Sequence, residues 1–300
     1  MKSSIEKHLL IIAMLIGIIF YKYISKLSPL LPILISLMLF ITYSKVSLND
    51  LRIKPFHYTL LAVQYVGSII VYLLIKPLNE IVAQGTMICI LASTATSAPV
   101  VTGLLGGNIS ITAGYAFISN ISLAFVAPIF FSSIRSTSVQ LPFLTSFWHI
   151  FFSVMPILIL PFILALILRK ISPKINSKIQ QAQIISFYLW AIALTVVISS
   201  VTNYVISLTD GTYKIEIILA LLSLAICISQ FLLGRKVGTT YGLTVTGGQS
   251  LGQKNTILAI WLTQTYLNPL ATVGPGTYVL WQNIVNSWQL WKHNNTKQNS

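Results

Sequence analysis

Two stretches of the chain decide its fold: GTMICILASTATSAPVVTGLLGGN, from Gly85 to Asn108, and TTYGLTVTGGQSLGQKNTILAIW, from Thr239 to Trp261. Each is long and apolar enough to cross a membrane, yet each carries small polar residues with proline or glycine pairs at its centre. Pro99 lacks a backbone donor, and the glycines of the second stretch each weaken a helix by about 1 kcal/mol relative to alanine. Non-helical backbone within the membrane is tolerated only where it is buried in protein or lines a water-filled cavity. The two stretches therefore predict two interrupted transmembrane helices.

The composition of the whole chain is that of a polytopic membrane protein. Of its 300 residues, 55% are hydrophobic and 8% are charged, whereas about 25% are charged in soluble globular proteins. So few charged side chains cannot cover that much apolar surface in water, which argues against a soluble enzyme, a disordered chain and a nucleic-acid binder. The two cysteines and four histidines show no metal-type spacing, so no disulfide framework, metal site or other cofactor is expected.

The spacing of apolar runs predicts ten spans, at about 20 residues for each membrane-crossing helix. Their expected bounds are 5–24, 28–44, 58–76, 84–105, 109–133, 146–168, 183–206, 214–234, 240–266 and 270–291. The two interrupted stretches are the fourth span of the first five and the fourth span of the second five. Interrupted segments at matching positions in two halves indicate a transporter built from inverted repeats.

We therefore expect an all-α polytopic membrane protein with two five-helix repeats of opposite orientation. The first repeat covers residues 1–135, the second covers residues 146–292, and a cytoplasmic tail follows at residues 293–300. The broken helices 4 and 9 would cross near the bilayer midplane. A second interpretation stays open, because small residues also serve close helix packing. The matching positions of the two stretches favour a transport site.

The basic residues predict the orientation of the chain. Thirteen of the 19 lysines and arginines lie on the side that holds both termini, five lie on the other side, and Lys254 falls inside a span. Lysine and arginine collect in cytoplasmic loops, so we expect a multi-pass protein of the cell membrane, the inner membrane in a Gram-negative organism, with both termini in the cytoplasm. The net charge of +14 then marks contacts with membrane lipids rather than with nucleic acid.

Three motifs, taken in order, resemble the bile acid:sodium symporter family. They are TSAPVVTGLLGGNIS (Thr96–Ser110), SLGQKNTILA (Ser250–Ala259) and PGTYVLWQNIVNSW (Pro275–Trp288). The resemblance implies a core domain that carries the crossed helices beside a panel domain, with a substrate crevice between the two and alternating access. It also implies that the chain is a divergent bacterial secondary transporter whose substrate is a small organic anion.

The chain departs from the family at the residues that the resemblance assigns to sodium. The family's carboxylate on the ninth span is replaced by Ser250, and the glutamine four positions later, an arginine in some relatives, is replaced by Lys254. The Ser-Asn pair of the fourth span becomes Ala98-Pro99. All five acidic residues fall in loops or at span ends, so no carboxylate is expected at membrane depth. Two sodium sites of the family kind are therefore not expected, because the charge of Lys254 would repel a bare cation.

Other positions of the family's site keep polar residues. The glutamine of the third span matches Gln64, the asparagine of the ninth span matches Asn255, and the polar position of the fifth span is Thr112. We expect Asn255, Ser250 and Gln64 to form hydrogen bonds around Lys254. We expect Thr96, Ser97 and Thr112 to line the opposing crossover.

Lys254 is the residue most informative about mechanism, because it lies inside a predicted span and a charge at the bilayer centre costs at least about 2.5–3.5 kcal/mol on insertion scales. Without an acidic partner, its side chain can lose its proton, stay charged against carbonyl groups of the broken helix in place of sodium, or pair with an anionic substrate. A lysine that gains its proton on one side and releases it on the other couples transport to protons. The alternative is that its stem reaches the cytoplasmic surface.

These observations favour a proton-coupled transporter or a uniporter over a sodium symporter. A membrane sensor or partner protein that kept the fold without transporting is a rival from another class. A Ser250–Lys254 dyad, four residues apart on one helical face, is the arrangement that an intramembrane enzyme would need. Nothing in the sequence supplies the oxyanion stabilisation for such chemistry, so the chain is predicted not to be an enzyme.

Overall fold

In a computed structural model, the chain is described over residues 4–45, 53–134, 142–181, 183–207 and 213–298. These residues form fourteen α-helices and two short 3-10 segments, Ser25–Leu30 and Pro269–Thr272. The helices are α1 (Ser4–Ile19), α2 (Tyr21–Ile24), α3 (Leu31–Lys45), α4 (Pro55–Ile75), α5 (Glu80–Leu91), α6 (Ala98–Leu104), α7 (Ile109–Ser133), α8 (Phe143–Ile171), α9 (Pro173–Gln181), α10 (Gln183–Ser207), α11 (Lys214–Thr240), α12 (Thr244–Gly252), α13 (Thr256–Tyr266) and α14 (Val273–Gln298).

Six helices in the described part of the chain are long and apolar enough to cross a membrane. They are Tyr21–Ser44, which joins α2 to α3, and Pro55–Ile75, Ile109–Ser133, Phe143–Ile171, Ile185–Ser207 and Lys214–Thr240. A helix satisfies its own backbone hydrogen bonds, which is what a segment in lipid requires. The chain is therefore a multi-pass, α-helical membrane protein, and the full set of ten spans stays a prediction.

The predicted fourth and ninth spans are each two short helices joined by a non-helical break. The first break covers residues 92–97, between α5 and α6, and the second covers residues 253–255, between α12 and α13. Asparagine side chains cap helices of both pairs: Asn79 Oδ1 accepts from the backbone N of Val82 at the start of α5, and Asn255 Oδ1 accepts from the backbone N of Leu258 in α13. Both predicted interruptions are therefore present.

The cause of the breaks differs from the one expected from proline and glycine. Pro99 lies in the first turn of α6, where its missing N–H costs nothing, so it starts a helix. Gly247 and Gly248 lie inside α12, which is unbroken up to Gly252. A Cβ atom on Gly247 would collide with the backbone of Gly234 in α11. The glycines of the ninth span thus permit close packing of α12 on α11, and the helix ends only after them.

The described residues divide into two compact units. Unit 2 consists of Ser47–Leu123, Tyr213–Ala259 and Ala271–Ser300, and it contains both breaks. Within it α11 packs against α12, α14 and α5, and α4 packs against α5. Two clusters of buried side chains form part of its core: Phe56, Leu60, Ile111, Tyr115 and Leu251 in one, and Cys89, Cys227, Phe231 and Tyr278 in the other.

Unit 1 consists of Met1–Val46, Ala124–Thr212 and Ile260–Leu270. Within it α3 packs against α8 and α10, and α1 packs against α10. Each unit takes helices from both halves of the sequence, so this division follows neither predicted repeat, and the repeats stay a prediction about internal symmetry. Residues 293–298 of the predicted cytoplasmic tail are helical and continue α14, and the placement of the tail in the cytoplasm stays a prediction.

Candidate functional site

The two breaks meet in unit 2 and pair along their backbones. Thr94 and Lys254 form an isolated antiparallel bridge. On one side of it the backbone N of Ala95 donates to Gln253 O at 2.9 Å, and on the other side the backbone N of Asn255 donates to Ser93 O at 2.8 Å. Unwound backbone buried in protein must find partners. Each break supplies them to the other, and we call this paired region, residues 93–95 and 253–255, the crossing.

The side chains of the bridged pair make reciprocal contacts. Lys254 Nζ donates to Ile90 O at 2.8 Å, and Ile90 lies four residues before Thr94. Thr94 Oγ1 donates to Ser250 O at 2.5 Å, and Ser250 lies four residues before Lys254. The last carbonyl groups of a helix have no partner within it. Each side chain therefore caps the carbonyl end of the half-helix that precedes the other break.

The carbonyl end of α5 accepts hydrogen bonds from the amine of a lysine and from an amide. Besides Lys254 on Ile90, Gln64 Nε2 donates to Leu91 O at 2.7 Å and to Ala92 O at 3.2 Å. Gln64 is held in place from α7 by Tyr115, whose hydroxyl donates to Gln64 Oε1 at 2.7 Å. A cation near a helix C-terminus is favourable, by up to about 2 kcal/mol where the site is partly buried. The ammonium of Lys254 thus occupies a position that suits a positive charge.

The carbonyl end of α12 is capped by neutral groups. Ser250 O accepts from Thr94, Gly252 O accepts from the hydroxyl of Tyr278 at 2.8 Å, and Gln253 O accepts from the backbone of the first break. On α14, Gln282 Oε1 accepts from the backbone N of Lys254 at 2.9 Å. Both half-helix ends are thus capped by side chains, and the donor to Ile90 O is the amine of Lys254 whereas the donor to Ser250 O is the hydroxyl of Thr94.

Two residues of α7 hold the first break. Ser119 Oγ accepts from the backbone N of Thr94 at 3.1 Å, and Ser93 Oγ donates to Asn120 Oδ1 at 2.9 Å. Asn120 Nδ2 also donates to Ala116 O at 2.7 Å and to Thr94 O at 3.3 Å. Ser119, Asn120, Ser93 and Thr94 are all buried. This network gives the unwound backbone of the first break hydrogen-bond partners on α7.

Lys254 is buried among these groups, with 1% of its surface exposed. Its hydrogen bond to Ile90 O and its burial exclude the alternative in which its stem carries the ammonium to water. Among the residues whose side chains the structure describes, no aspartate or glutamate contacts it. The accessible part of the region lies beside it: Ser97 is exposed, and Thr96 and Asn255 are half-buried.

The sequence model of the sodium bile acid symporter family matches residues 29–208, more than half of the chain. The chain belongs to this family. The matched range includes the first break and the helices on either side of it, and it ends before the second break. A search of curated proteins found no match. Members of the sodium bile acid symporter family are transporters, which agrees with the prediction that the chain is not an enzyme.

In this member of the symporter family, Ser250 and Thr112 do not make the contacts that the sequence predicts. Ser250 is fully buried and its Oγ has no hydrogen-bond partner among the described residues, so the Ser250–Lys254 dyad does not form. Thr112 is bonded to α6 and to its own helix, through Thr102 Oγ1 at 3.0 Å and Asn108 O at 3.2 Å. The hydrogen bonds of Thr112 therefore do not extend to the crossing.

Sequence reasoning missed several residues that form the crossing or contact it. Thr94, Ser119, Asn120, Tyr278 and Gln282 were not predicted as site residues. A usable signal was present on the fifth span, where Thr112, Tyr115 and Ser119 recur at helical spacing and mark one polar face. Among the described residues, no group of three histidine, cysteine or acidic side chains is placed to hold a metal ion.

Proposed function

We propose that the protein is a secondary transporter that moves a small organic anion across the membrane by alternating access. Its transport would be proton-coupled or uniport, and Lys254 would take the place of a coupling sodium ion. The observation that carries this proposal is the hydrogen bond of 2.8 Å from Lys254 Nζ to Ile90 O, at the carbonyl end of an interrupted helix. A positive charge on Lys254 would stabilise this carbonyl end as a bound sodium ion would.

The pattern of contacts supports an architecture of two inverted five-helix repeats in a ten-helix chain. Lys254 follows Thr94 by 160 positions, and the carbonyl groups that these residues cap, on Ser250 and Ile90, are separated by the same number. Helices α7 and α14 supply a second correspondence. Tyr278 follows Tyr115 by 163 positions, and Gln282 follows Ser119 by the same number. Ser119 accepts from the backbone N of Thr94, and Gln282 accepts from the backbone N of Lys254. Equivalent roles at constant offsets are what a repeat produces.

The occupied carbonyl groups argue against sodium at the crossing. Those at the end of α5 accept from Lys254 and Gln64, and those at the end of α12 accept from Thr94, Tyr278 and Ala95. A sodium ion would have to displace these donors and then remain beside an ammonium group. Both requirements oppose binding, since like charges repel strongly where water is excluded.

The charge and the accessible groups together favour an anionic substrate. Lys254 is too deeply buried for direct contact, so it acts through the positive potential that it adds to the crossing. Ser97, Thr96 and Asn255 would supply hydrogen bonds to the substrate from the accessible side. The excess of basic residues on the terminal side places both termini in the cytoplasm of the cell in this proposal.

A ligand screen tests the proposal on the purified protein. Thermal stability is measured with a set of small carboxylates at two pH values, with sodium or with potassium at the same ionic strength, for the native chain and for Lys254→Ala. The expected result is a carboxylate that stabilises the native chain in either salt and does not stabilise the variant. Stabilisation of both chains by the same compounds would contradict the role of Lys254.

Uptake of that compound into proteoliposomes then separates proton coupling from uniport. Arginine stays charged under all ordinary conditions, so Lys254→Arg keeps the charge and cannot release a proton. Uptake that a pH gradient drives in the native chain and not in Lys254→Arg assigns proton coupling. Uptake that follows only the substrate gradient in both assigns uniport.

The second candidate is sodium-coupled symport of an organic anion, which the name of the matched family favours. Uptake that requires sodium and ignores a pH gradient would establish it and would contradict the proposed role of Lys254. A non-transporting sensor is the third candidate. It predicts that a compound binds and stabilises the chain, yet is never accumulated by proteoliposomes under any gradient.

A further inference from the structure

A cavity of about 440 Å³ lies within unit 1, and none of its lining residues belongs to the crossing. Its walls come from the 3-10 segment Ser25–Leu30, from the end of α10, and from Gln264 in α13 with Pro269 beyond it. It is open to the surface rather than enclosed, and its volume falls in the range of sites that bind small molecules. We call it the unit 1 cavity.

Most of the residues that line this cavity have polar side chains, although the chain as a whole is mostly apolar. Eight of its nine lining residues have polar side chains, the ninth is Pro269, and none is acidic. Lys26 supplies one positive charge, and the other lining residues include Ser25, Ser28, Ser200 and Ser207. The side chains of Asn203, Tyr204 and Gln264 have no hydrogen-bond partner among the described residues. Amide, phenol and ammonium groups are thus available to a ligand in the cavity.

We propose that the unit 1 cavity binds an anionic group that carries hydroxyl substituents. Lys26 would neutralise the anion, Asn203 and Gln264 would donate amide hydrogens to it, and Tyr204 would bond to its hydroxyls. Because none of the residues that line the cavity is acidic, the positive charge of Lys26 favours an anion over a neutral or cationic ligand. The proposal does not depend on Lys254, so either one can fail while the other stands.

Two sources can supply this chemistry: a soluble hydroxy acid, and an anionic lipid headgroup such as phosphatidylglycerol. The apolar side chains of Leu27 and Leu30 beside Lys26 are exposed, as they would be near lipid. The serines and amides of the lining fit the hydroxyls of either ligand. The experiment therefore has one arm for each source.

A cysteine reporter measures the charge selectivity of the cavity in purified protein. Ser207→Cys places a thiol on the exposed part of the lining, and the native Cys89 and Cys227 are buried. The thiol is expected to react faster with a negatively charged methanethiosulfonate, the sulfonatoethyl reagent, than with the positively charged trimethylammonioethyl reagent. Adding Lys26→Ala should lower this rate ratio about fivefold at low ionic strength. The matched control, Lys22→Ala in α2, does not line the cavity and should change the ratio less than about twofold.

Protection of the same thiol identifies the ligand. In neutral detergent, gluconate is added as the soluble hydroxy acid; in nanodiscs, phosphatidylglycerol is compared with phosphatidylcholine. Lys26-dependent protection by gluconate assigns a soluble anion, and Lys26-dependent protection by phosphatidylglycerol assigns a lipid. A rate ratio that Lys26→Ala leaves unchanged overturns the proposal. So does a Lys26-dependent ratio without protection in either arm, because a surface lysine without a binding site gives that result.

Discussion

Thr94 and Lys254 face each other across the antiparallel bridge, and each donates to the backbone carbonyl four residues before the other. The two residues thus hold together two interrupted helices that are far apart in sequence. One donor is a hydroxyl that stays neutral, and the other is the amine of a lysine, which can carry a positive charge. This difference, set within otherwise similar contacts, is the structural basis for assigning Lys254 a role in transport.

The hydroxyl of Thr94 is expected to stabilise the crossing. Thr94→Val keeps the shape of the side chain and leaves Ser250 O buried without its donor, which costs about 1–3 kcal/mol. The apparent Tm in detergent should fall by several degrees. Thr265→Val is the control, because Thr265 is exposed and bonds to its own helix. Equal Tm values for the two variants would show that the reciprocal contact is not stabilising.

Gln64 and Tyr115 are expected to act as one unit. Gln64→Leu removes the donor to Leu91 O and Ala92 O, and Tyr115→Phe removes the hydroxyl that orients Gln64. Groups in one hydrogen-bond network show coupling energies of about 0.5–3 kcal/mol. Thermal stability of the two single variants and the double variant should therefore give a double-variant loss smaller than the sum of the single losses. A loss equal to the sum would mean that the two side chains act independently.

The close packing of α12 on α11 predicts that Gly247 tolerates no side chain. Gly247→Ala would drive a methyl group into the backbone of Gly234, so the yield of folded protein should fall sharply. Gly276 in α14 is the matched control, because a Cβ atom there meets nothing within 4 Å. Gly276→Ala should keep the native yield or raise Tm slightly, since alanine favours helix by about 1 kcal/mol. Size-exclusion chromatography in detergent gives the yields, and a folded, monodisperse Gly247→Ala would show that the helices can separate.

Ser97 is expected to affect transport without affecting stability. Its side chain is exposed and makes no capping bond to α6, so Ser97→Ala removes no contact of the folded chain, and the change in stability should stay within about 0.5 kcal/mol. If Ser97 bonds to the substrate, the KM for uptake should rise severalfold. Ser229→Ala, in which an exposed serine bonded to its own helix is lost, should leave KM unchanged. An unaltered KM in Ser97→Ala would place the substrate elsewhere.

The broad architecture could be predicted from the sequence because it depends on composition and spacing. The low charge content and the length of the apolar runs predict membrane helices, and the two small-residue stretches predicted the two interruptions. The site was less predictable, because its contacts join positions that are distant in sequence. The pairing of Thr94 with Lys254 depends on the register of two extended segments, and no local pattern fixes that register.

The cause of each break could not be predicted from the local sequence either. Proline and glycine are associated with broken helices, yet Pro99 begins α6 and Gly247 serves the packing of α12 on α11. The unwound residues are stable because of donors and acceptors on α4, α7 and α14, among them Gln64, Ser119 and Gln282. Such tertiary partners have no signature at the break itself.

The central claim is that the charge of Lys254 replaces a bound sodium ion, and exchange of sodium for potassium at constant ionic strength tests it most directly. The apparent Tm of the native protein should be the same in both salts, because a chain without a sodium site gains nothing from sodium. The double variant Ser250→Glu and Lys254→Gln, which restores the family's residue types at both positions, is the matched comparison and should gain stability in sodium. A saturable rise of Tm with sodium in the native protein would contradict the account.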